Sequence, residues 1–349
     1  MNKQILNFIL LLSISLFYSA CGNDKPSTST SVYDTPSTQQ LGKTGVLSID
    51  NLTDQIAQNP ENPKLYAARA EAFYNNEGYD YAIVDMATAM KIDSTNADYH
   101  HLLSEIYLDY YKSRLALQTM KRCVALYPKR IPSLLKLAEI QQILKMYDAS
   151  MMSIARIMKV EPANPEGFFM IGLNHTLMGN KDASIKSLQK CVEIDPDHTD
   201  GWVLLGKIFA EDANPLAEQY FENAILTAPK NADVLYNKAS YLHDNDQLDQ
   251  SSSLLKKIIK IDPQYAEAFD RLGVIYLEKD STDQAIINFN IAVNVNPEFG
   301  VAYYHRAYAL ESKGDFEAAK ADYERILKFN PNYENAKKGL ERLAQTTNK

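Results

Sequence analysis

The chain has 349 residues, a formal net charge of −8 at pH 7 and 46% hydrophobic residues, so it can bury a sizeable core. Its charge is dispersed along the sequence, without the basic run typical of a nucleic-acid-binding protein. Three cysteines are too few, and odd in number, for a disulfide framework. These properties exclude a disulfide-stapled scaffold and disfavour a nucleic-acid partner.

The N-terminus of the chain has the composition of an export signal. A single early positive charge, Lys3, precedes a short apolar stretch from Ile5 to Phe17. This stretch is too short for a stable membrane span, and it ends in small residues as secretory signals do. Residues 19–21, with the sequence Ser-Ala-Cys, resemble the lipobox of bacterial lipoproteins. The resemblance implies a signal peptide over residues 1–20, lipid attachment at Cys21, and a location in the cell envelope, on the periplasmic face or the surface of the outer membrane.

Residues 21–45 are rich in Ser, Thr and Pro and nearly free of aliphatic side chains. Such a segment cannot bury enough apolar surface to fold. We therefore expect a flexible tether behind the lipidated Cys21, with a mean reach of roughly 25–30 Å. Residues 46–62 then carry apolar side chains at helical spacing, which predicts an N-terminal half-repeat.

A proline that recurs at a nearly constant interval organises most of the remaining chain. It occurs at Pro128, Pro162, Pro196, Pro229, Pro263, Pro297 and Pro331, and one of the steps is shorter than the others by a single residue. The period, about 34 residues, is the length of a stacked two-helix repeat. It predicts eight repeats over residues 63–332, followed by a capping helix and tail over residues 333–349. The repeats begin at Pro63, Ala97, Ile131, Pro165, Thr199, Ala232, Ala266 and Gly300.

Three positions keep their character in all eight copies when each repeat is numbered from its first residue and the residue missing from the turn of the fifth repeat is counted as a gap. Positions 8 and 20 always hold Ala, Gly or Ser, and position 24 always holds a large apolar or aromatic residue. Closely packed helices need small residues where their backbones approach, so each repeat is predicted to be a helix–turn–helix pair. The predicted N-caps of the first helices are Asn62, Asn96, Asn164 and Asn231.

This pattern resembles the tetratricopeptide repeat (TPR) family. The resemblance implies an all-α fold, a right-handed superhelical solenoid of about eight repeats with capping helices at both ends. Position 7 departs from the family pattern, because Arg69, Lys238 and Arg306 stand where an apolar residue is usual. We expect the stems of these side chains to cover apolar neighbours while their charged heads reach water.

The resemblance also implies a binding surface, since the first helices of such repeats line a concave groove. On the inward positions we expect an exposed apolar strip, formed by Leu135, Phe169, Leu173, Val203 and Tyr236. An acidic rim beside it comprises Asp98, Glu166, Asp200, Asp233 and Glu267, and Tyr304 and Tyr308 also face the groove. Alternatively, the apolar side chains of the strip pack against neighbouring first helices.

No residue pattern indicates catalysis or metal binding. Cys123 and Cys191 fall at position 27, a small buried position, where they are expected to act as small hydrophobic residues. We therefore expect no enzymatic activity, cofactor, metal, small-molecule substrate or nucleic-acid ligand. The sequence favours a membrane-anchored protein–protein interaction scaffold whose groove binds a helix or extended segment with apolar anchors and basic flanks. The alternatives are a periplasmic chaperone or assembly or secretion factor for outer-membrane or secreted proteins, and a subunit or regulator of an enzyme.

Overall fold

The computed structural model describes residues 44–347, and within that range all regular structure is α-helical. Helix α1 spans Leu47–Gln58, and α18 spans Glu334–Thr347. The first helices of the eight repeats are α2 (Pro63–Tyr74), α4 (Ala97–Asp109), α6 (Ile131–Ile143), α8 (Pro165–Leu177), α10 (Thr199–Glu211), α12 (Ala232–Asp244), α14 (Ala266–Glu278) and α16 (Gly300–Lys313). The second helices are α3 (Tyr79–Ile92), α5 (Ser113–Leu126), α7 (Tyr147–Val160), α9 (Lys181–Ile194), α11 (Leu216–Thr227), α13 (Leu248–Ile261), α15 (Thr282–Val295) and α17 (Phe316–Phe329). The predicted all-α solenoid is confirmed.

Local sequence signals set the helix boundaries. The side chains of Asn62, Asn96, Asn164 and Asn231 each accept a backbone N–H of the first turn that follows, as predicted. The second helices that precede a periodic proline end two residues before it, because proline lacks the N–H that the next turn requires. At position 15 of each repeat, the turn between the two helices has a positive φ.

The packing between the two helices of each repeat follows the predicted positions. Residues at positions 8, 20 and 24 are buried in all eight repeats. The approach is closest where position 8 is glycine, as in Gly273. A Cβ atom placed there would lie 2.5 Å from Phe289, which occupies position 24 of the same repeat. A small residue at position 8 is therefore a steric requirement of the fold.

The basic residues at position 7 are placed differently from expectation. The guanidinium groups of Arg69 and Arg306 are not free in water, because each forms a two-pronged ion pair with an aspartate at position 23 of its own repeat, Asp85 and Asp322 respectively. Lys238 instead reaches back to the second helix of the preceding repeat, where its Nζ lies 2.9 Å from Glu222. The expectation that these heads are solvated is therefore wrong, since a carboxylate compensates each of them within the array.

Both ends of the described chain carry a helix that buries apolar residues. In α1, Ile49 and Ile56 are buried, and in α18 Ala336 and Leu343 are buried. None of the helices in residues 44–347 is long and apolar enough to cross a membrane. The predicted signal peptide, Cys21 and most of the tether lie outside the described residues.

The array curves with its first helices on the inside. Neighbouring first helices contact each other directly, as α2 does with α4, α4 with α6, α6 with α8, α10 with α12, α12 with α14 and α14 with α16. Within the described chain, successive second helices make no comparable contacts. The first helices therefore form the wall of a concave groove, and the second helices form the outer face.

Candidate functional site: the concave groove

The apolar strip expected along the groove is largely covered. Phe169, Leu173 and Val203 are only 4%, 2% and 1% exposed, so the expectation of an exposed strip is wrong at these three residues. Phe169 packs against the ring of His198, with centroids 4.9 Å apart. Val203 packs among residues of the following helices, including Val234. The alternative, packing against a neighbouring first helix, applies to Val203, whereas Phe169 is covered by His198 at the end of its own repeat.

Four other predicted groove residues retain accessible surface. Leu135, Tyr236 and Tyr304 are partly exposed, and Tyr308 is 49% exposed. Tyr304 packs within 5.9 Å of the ring of Tyr333, measured between centroids, so the C-terminal end of the groove has an aromatic wall. The apolar contact surface is therefore concentrated toward the last repeat.

The acidic rim is organised by a contact that recurs across repeats. The carboxylate at position 2 meets the residue at position 34, which ends the same repeat. Asp98 Oδ1 lies 2.8 Å from Arg130 Nη2, and Glu166 Oε2 lies 3.2 Å from His198 Nε2. In the sixth repeat, the Tyr265 hydroxyl donates to Asp233 Oδ1 at 2.9 Å. These contacts hold the carboxylates in a row along the groove edge.

Asp200 and Glu267, the other two rim acids, form no ion pair within the described chain. Burial raises the pKa of the Asp200 carboxyl, and the nearby His198 opposes that rise. Lys207 lies at position 9 of the same first helix, and burial lowers the pKa of its ammonium group while Asp200 and Asp233 oppose that change. Asp200 and Glu267 therefore lie on the rim without a basic side chain of the described chain in contact.

A polar cluster lines the groove between the second and third repeats. His101 Nε2 lies 2.8 Å from Arg130 Nη1 and 2.9 Å from Ser133 Oγ. His101 Nε2 must accept a hydrogen bond from the Arg130 guanidinium, so the imidazole of His101 is neutral. Burial lowers the pKa of His101 to about 4, and Arg130 and Lys136 add to the decrease. Lys136 is itself held between Glu105 and Glu139, at 3.5 and 3.3 Å.

Two histidines connect the last three repeats. His243 Nε2 lies 3.0 Å from Glu278 Oε2, and His305 Nδ1 lies 2.8 Å from Asp270 Oδ1. Arg271 Nη1 lies 3.0 Å from His243 Nδ1. These residues were not predicted to line the groove. The sequence spacing could have predicted these pairs, because each histidine is separated from its carboxylate by about one repeat length.

The groove has the chemistry of a binding surface. Within residues 44–345, no group of three or more His, Cys, Asp or Glu side chains is arranged to hold a metal ion. Cys123 and Cys191 are buried free thiols, consistent with small hydrophobic residues at position 27. The accessible features of the groove are carboxylates along one edge and aromatic side chains near its C-terminal end.

Comparison with family models identifies the repeats. Three segments, residues 165–198, 232–265 and 300–333, match models described as tetratricopeptide repeat. These segments coincide with the fourth, sixth and eighth repeats in the frame set by positions 8, 20 and 24. The chain contains tetratricopeptide repeats. Tetratricopeptide repeats generally bind protein partners.

Known proteins that resemble the TPR array do so over limited lengths. Protein FlbA of Caulobacter vibrioides is 26% identical over 125 residues, which are 36% of this chain and 21% of that protein. The chloroplastic tetratricopeptide repeat domain-containing protein PYG7 of Arabidopsis thaliana is 32% identical over 71 residues, 20% of this chain and 24% of that protein. The matched segments thus span less than a quarter of these relatives.

A solved structure shares the fold over most of the TPR array. The crystal structure of the APC/C hetero-tetramer Cut9-Hcn1 aligns with a TM-score of 0.57 and 14% identity, covering 84% of this chain and 58% of that one. At this identity the likeness concerns the fold alone.

Proposed function

We propose that this protein is a lipid-anchored scaffold of the bacterial cell envelope that binds a basic segment of a partner protein in its concave groove. The observation that carries the proposal is the row of carboxylates at position 2, of which Asp98 is the most open, with a side chain 82% exposed. Acidic side chains along a groove favour a partner that carries Lys or Arg, and they accelerate its encounter with the array. The protein acts by binding and catalyses no reaction of its own.

Tyr308 supplies the apolar contact of the proposed site. Its side chain is half exposed at the C-terminal end of the groove, and partly exposed Tyr304 lies one helical turn before it. Tyrosine provides a large contact area at a small cost in side-chain entropy, which is why it is common at binding hot spots. The proposed partner segment therefore carries basic side chains along the rim and an apolar side chain against Tyr308.

The envelope location is supported by the N-terminal end of the sequence. The apolar stretch, the small residues that follow it and Cys21 have the order of a lipoprotein signal. More than one acyl chain on that cysteine satisfies the requirement for stable anchoring. We propose that Cys21 is acylated and that residues 22–43 connect it to the TPR array.

Groove binding can be tested with peptides and the full-length protein. Two labelled helical peptides of equal length would present the same apolar residue, flanked by lysines in one and by glutamates in the other. The basic peptide is expected to bind more tightly, with an affinity that falls as salt increases.

Tyr308→Asp should weaken the binding of the basic peptide at least about tenfold, because it removes a hot-spot side chain. Tyr111→Asp is the matched control, because Tyr111 is 95% exposed in the turn between α4 and α5. Equal binding of the two peptides would contradict the proposed groove chemistry.

The partner itself can then be sought by capture from solubilised envelope with the full-length protein and its Tyr308→Asp variant. One stoichiometric protein that is lost with the variant would support a dedicated scaffold. Many weakly bound proteins would instead favour a chaperone or assembly factor. Capture that is unchanged by the variant would place the site elsewhere on the array.

Anchoring is tested separately by Cys21→Ser. This change removes the acylated thiol and should move the protein from the membrane fraction to the soluble fraction, or leave it uncleaved and unacylated in a mass spectrum. An unchanged detergent partition, together with an unmodified Cys21 in the original protein, would refute the anchor.

A further inference from the structure

The outer face of the second, third and fourth repeats is strongly basic. The outward positions of a second helix are 22, 25, 26 and 29, on the side opposite buried positions 20, 24 and 27. On α5, α7 and α9 these positions hold six basic side chains, which are Lys121, Arg122, Arg156, Lys159, Lys186 and Lys190. All are exposed except Arg156, which is partly exposed. We call this surface the basic outer face.

Almost nothing within the array neutralises the basic outer face. Glu193 is the one carboxylate at positions 22, 25, 26 and 29 of these three helices, and it lies 3.1 Å from Lys190. One turn earlier, exposed Asp148 and Asp182 form no ion pair with the described residues, and Arg114 adds a base there on α5. Arg156 donates to the carbonyl of Pro128. The other four basic side chains form no ion pair with the described residues. In a chain whose net charge is −8, this is a local reversal of sign.

The basic outer face has clear boundaries. On the preceding second helix, α3, the outward positions carry a single base, Lys91. On the following second helix, α11, they carry no base and one acid, Glu222. Near the centre of the face, Met152 is 72% exposed on α7, so an apolar side chain stands among the basic ones. The acidic rim lies on the first helices, on the opposite side of the array.

We propose that the basic outer face docks on an anionic phospholipid surface and thereby turns the concave groove away from the membrane. The inference rests on the proposed lipid anchor for its setting. Basic side chains near such a surface are attracted by its negative potential, and an exposed methionine can enter the headgroup region. Charges spread over three separate helices suit lipid headgroups, because headgroups move laterally to meet each charge. A folded protein partner would instead need a shaped pocket with a buried anchor.

The length and position of the preceding chain are compatible with this arrangement. The described array begins at Thr44, directly before α1 and the first repeat, and the basic outer face begins one repeat later. Residues 21–43 would have a mean reach of about 25–30 Å as a flexible coil. A membrane anchor at Cys21 would therefore keep the N-terminal half of the array, with its basic outer face, close to the lipid surface.

The test uses the full-length protein with Cys21→Ser, so that no acyl chain contributes to binding. Sedimentation with vesicles of phosphatidylcholine alone would be compared with sedimentation with vesicles in which about a third of the lipid is phosphatidylglycerol, which is anionic. The measured quantity is the ratio of the two partition coefficients, which cancels any contribution of the N-terminal apolar stretch. We expect a large ratio that decreases as salt increases.

Charge-matched variants locate the effect. Lys121→Gln/Lys159→Gln/Lys186→Gln removes three charges from the basic outer face and should reduce the ratio at least about tenfold. The control, Lys256→Gln/Lys257→Gln/Lys260→Gln, removes the three bases at the outward positions of α13, which are separated from the basic outer face by α11. That helix lies between α11 and α15, whose outward positions hold no basic residue. All six lysines are exposed, so the variants should keep the helix content of the parent.

A ratio of partition coefficients near one for the parent protein would overturn the proposal. An equal reduction of this ratio by both triple variants would overturn it as well. A parent that binds acidic polypeptides through the basic outer face but ignores anionic vesicles would overturn it in favour of a protein partner. Peptide binding in the groove is measured without vesicles. The membrane-docking proposal and the groove-binding proposal can therefore fail independently of each other.

Discussion

Arg69 and Asp85 form a buried ion pair between the two helices of the first repeat. Arg69 Nε and Nη2 each lie 2.7 Å from an oxygen of the carboxylate, and the two side chains are only 5% and 1% exposed. Nη1 also donates to Thr53 Oγ1 of α1 at 3.0 Å. One guanidinium thus joins three helices at the N-terminal end of the array.

Arg69→Leu should destabilise the protein by about 3–5 kcal/mol, because it leaves the Asp85 carboxylate buried without its partner. Urea unfolding followed by circular dichroism measures the change. The second repeat has Leu103 and Thr119 at the same two positions, so Arg69→Leu/Asp85→Thr copies a pair that the array already accommodates. This double variant should recover most of the loss. A double variant as unstable as the single one would show that the pair itself is required.

Gly273→Ala should destabilise the seventh repeat by about 1–3 kcal/mol, because the added methyl group would overlap the ring of Phe289. Gly273→Ala/Phe289→Leu should restore stability, since the sixth repeat combines Ala239 with Leu255 at these positions. Gly300→Ala is the control, because a Cβ there meets nothing within 4 Å. Thermal unfolding of the three variants distinguishes a steric effect from a general intolerance of alanine.

The turns at position 15 store backbone strain that can be removed. Six of the eight are occupied by non-glycine residues with φ between 50° and 60°, including Lys145 with φ 56°. Lys145→Gly should stabilise the protein by roughly 0.5–1 kcal/mol, since relief of the left-handed strain exceeds the added entropy of the unfolded chain. The reverse change, Gly179→Ala, should destabilise it, because φ is +76° there although no atom lies within 4 Å of the added Cβ. An unchanged denaturation midpoint for both variants would contradict this account.

Stability should depend on pH through His101. The folded-state pKa of about 4 lies below the ordinary value of 6.5, so the imidazole is neutral in the fold while the unfolded chain takes up a proton first. The stability contribution is therefore present above the unfolded-state pKa of 6.5 and is lost as the pH falls through the folded-state pKa. The loss is on the order of 2 kcal/mol, because solvent screening of this partly exposed side chain reduces the value that the full shift would give. His101→Gln keeps an oxygen that can accept from Arg130 and should reduce the loss measured by urea unfolding at pH 7 and pH 5.

His243 provides a control of opposite sign. Its pKa is raised by hydrogen bonding to Asp244 and Glu278, against the opposing effects of burial and of Arg271. In the charged imidazole, Nδ1 donates to Asp244 Oδ1, 3.5 Å away, in place of accepting from Arg271 Nη1. The contribution of His243 is therefore present at low pH and is lost as the pH rises. His243→Gln should therefore make the loss of stability on acidification steeper. If His101→Gln and His243→Gln changed the pH dependence of stability in the same direction, the change would be a general effect of removing a histidine. The pH dependence could then no longer be assigned to His101.

The repeat period was sufficient to predict the fold. Small residues at positions 8 and 20 pack within one repeat, so their role can be derived from that repeat alone. The burial of Phe169 could not be predicted in this way, because it depends on the orientation of the ring of His198, which caps the next first helix. The burial of the Arg69 guanidinium depends on an aspartate 16 residues away. That pair could be predicted by comparing charges across aligned repeats, since Arg306 and Asp322 occupy the same two positions.

The uneven contacts on the two sides of the array have a mechanical consequence. First helices contact their successors in every step except that from α8 to α10, whereas second helices make no comparable contacts with one another in the described chain. A change in the width of the groove therefore alters contacts between first helices, while few contacts between second helices are affected. The curvature of the array thus depends on the size of the side chains along its inner wall, and bulkier residues there would open the groove without a matching strain between second helices.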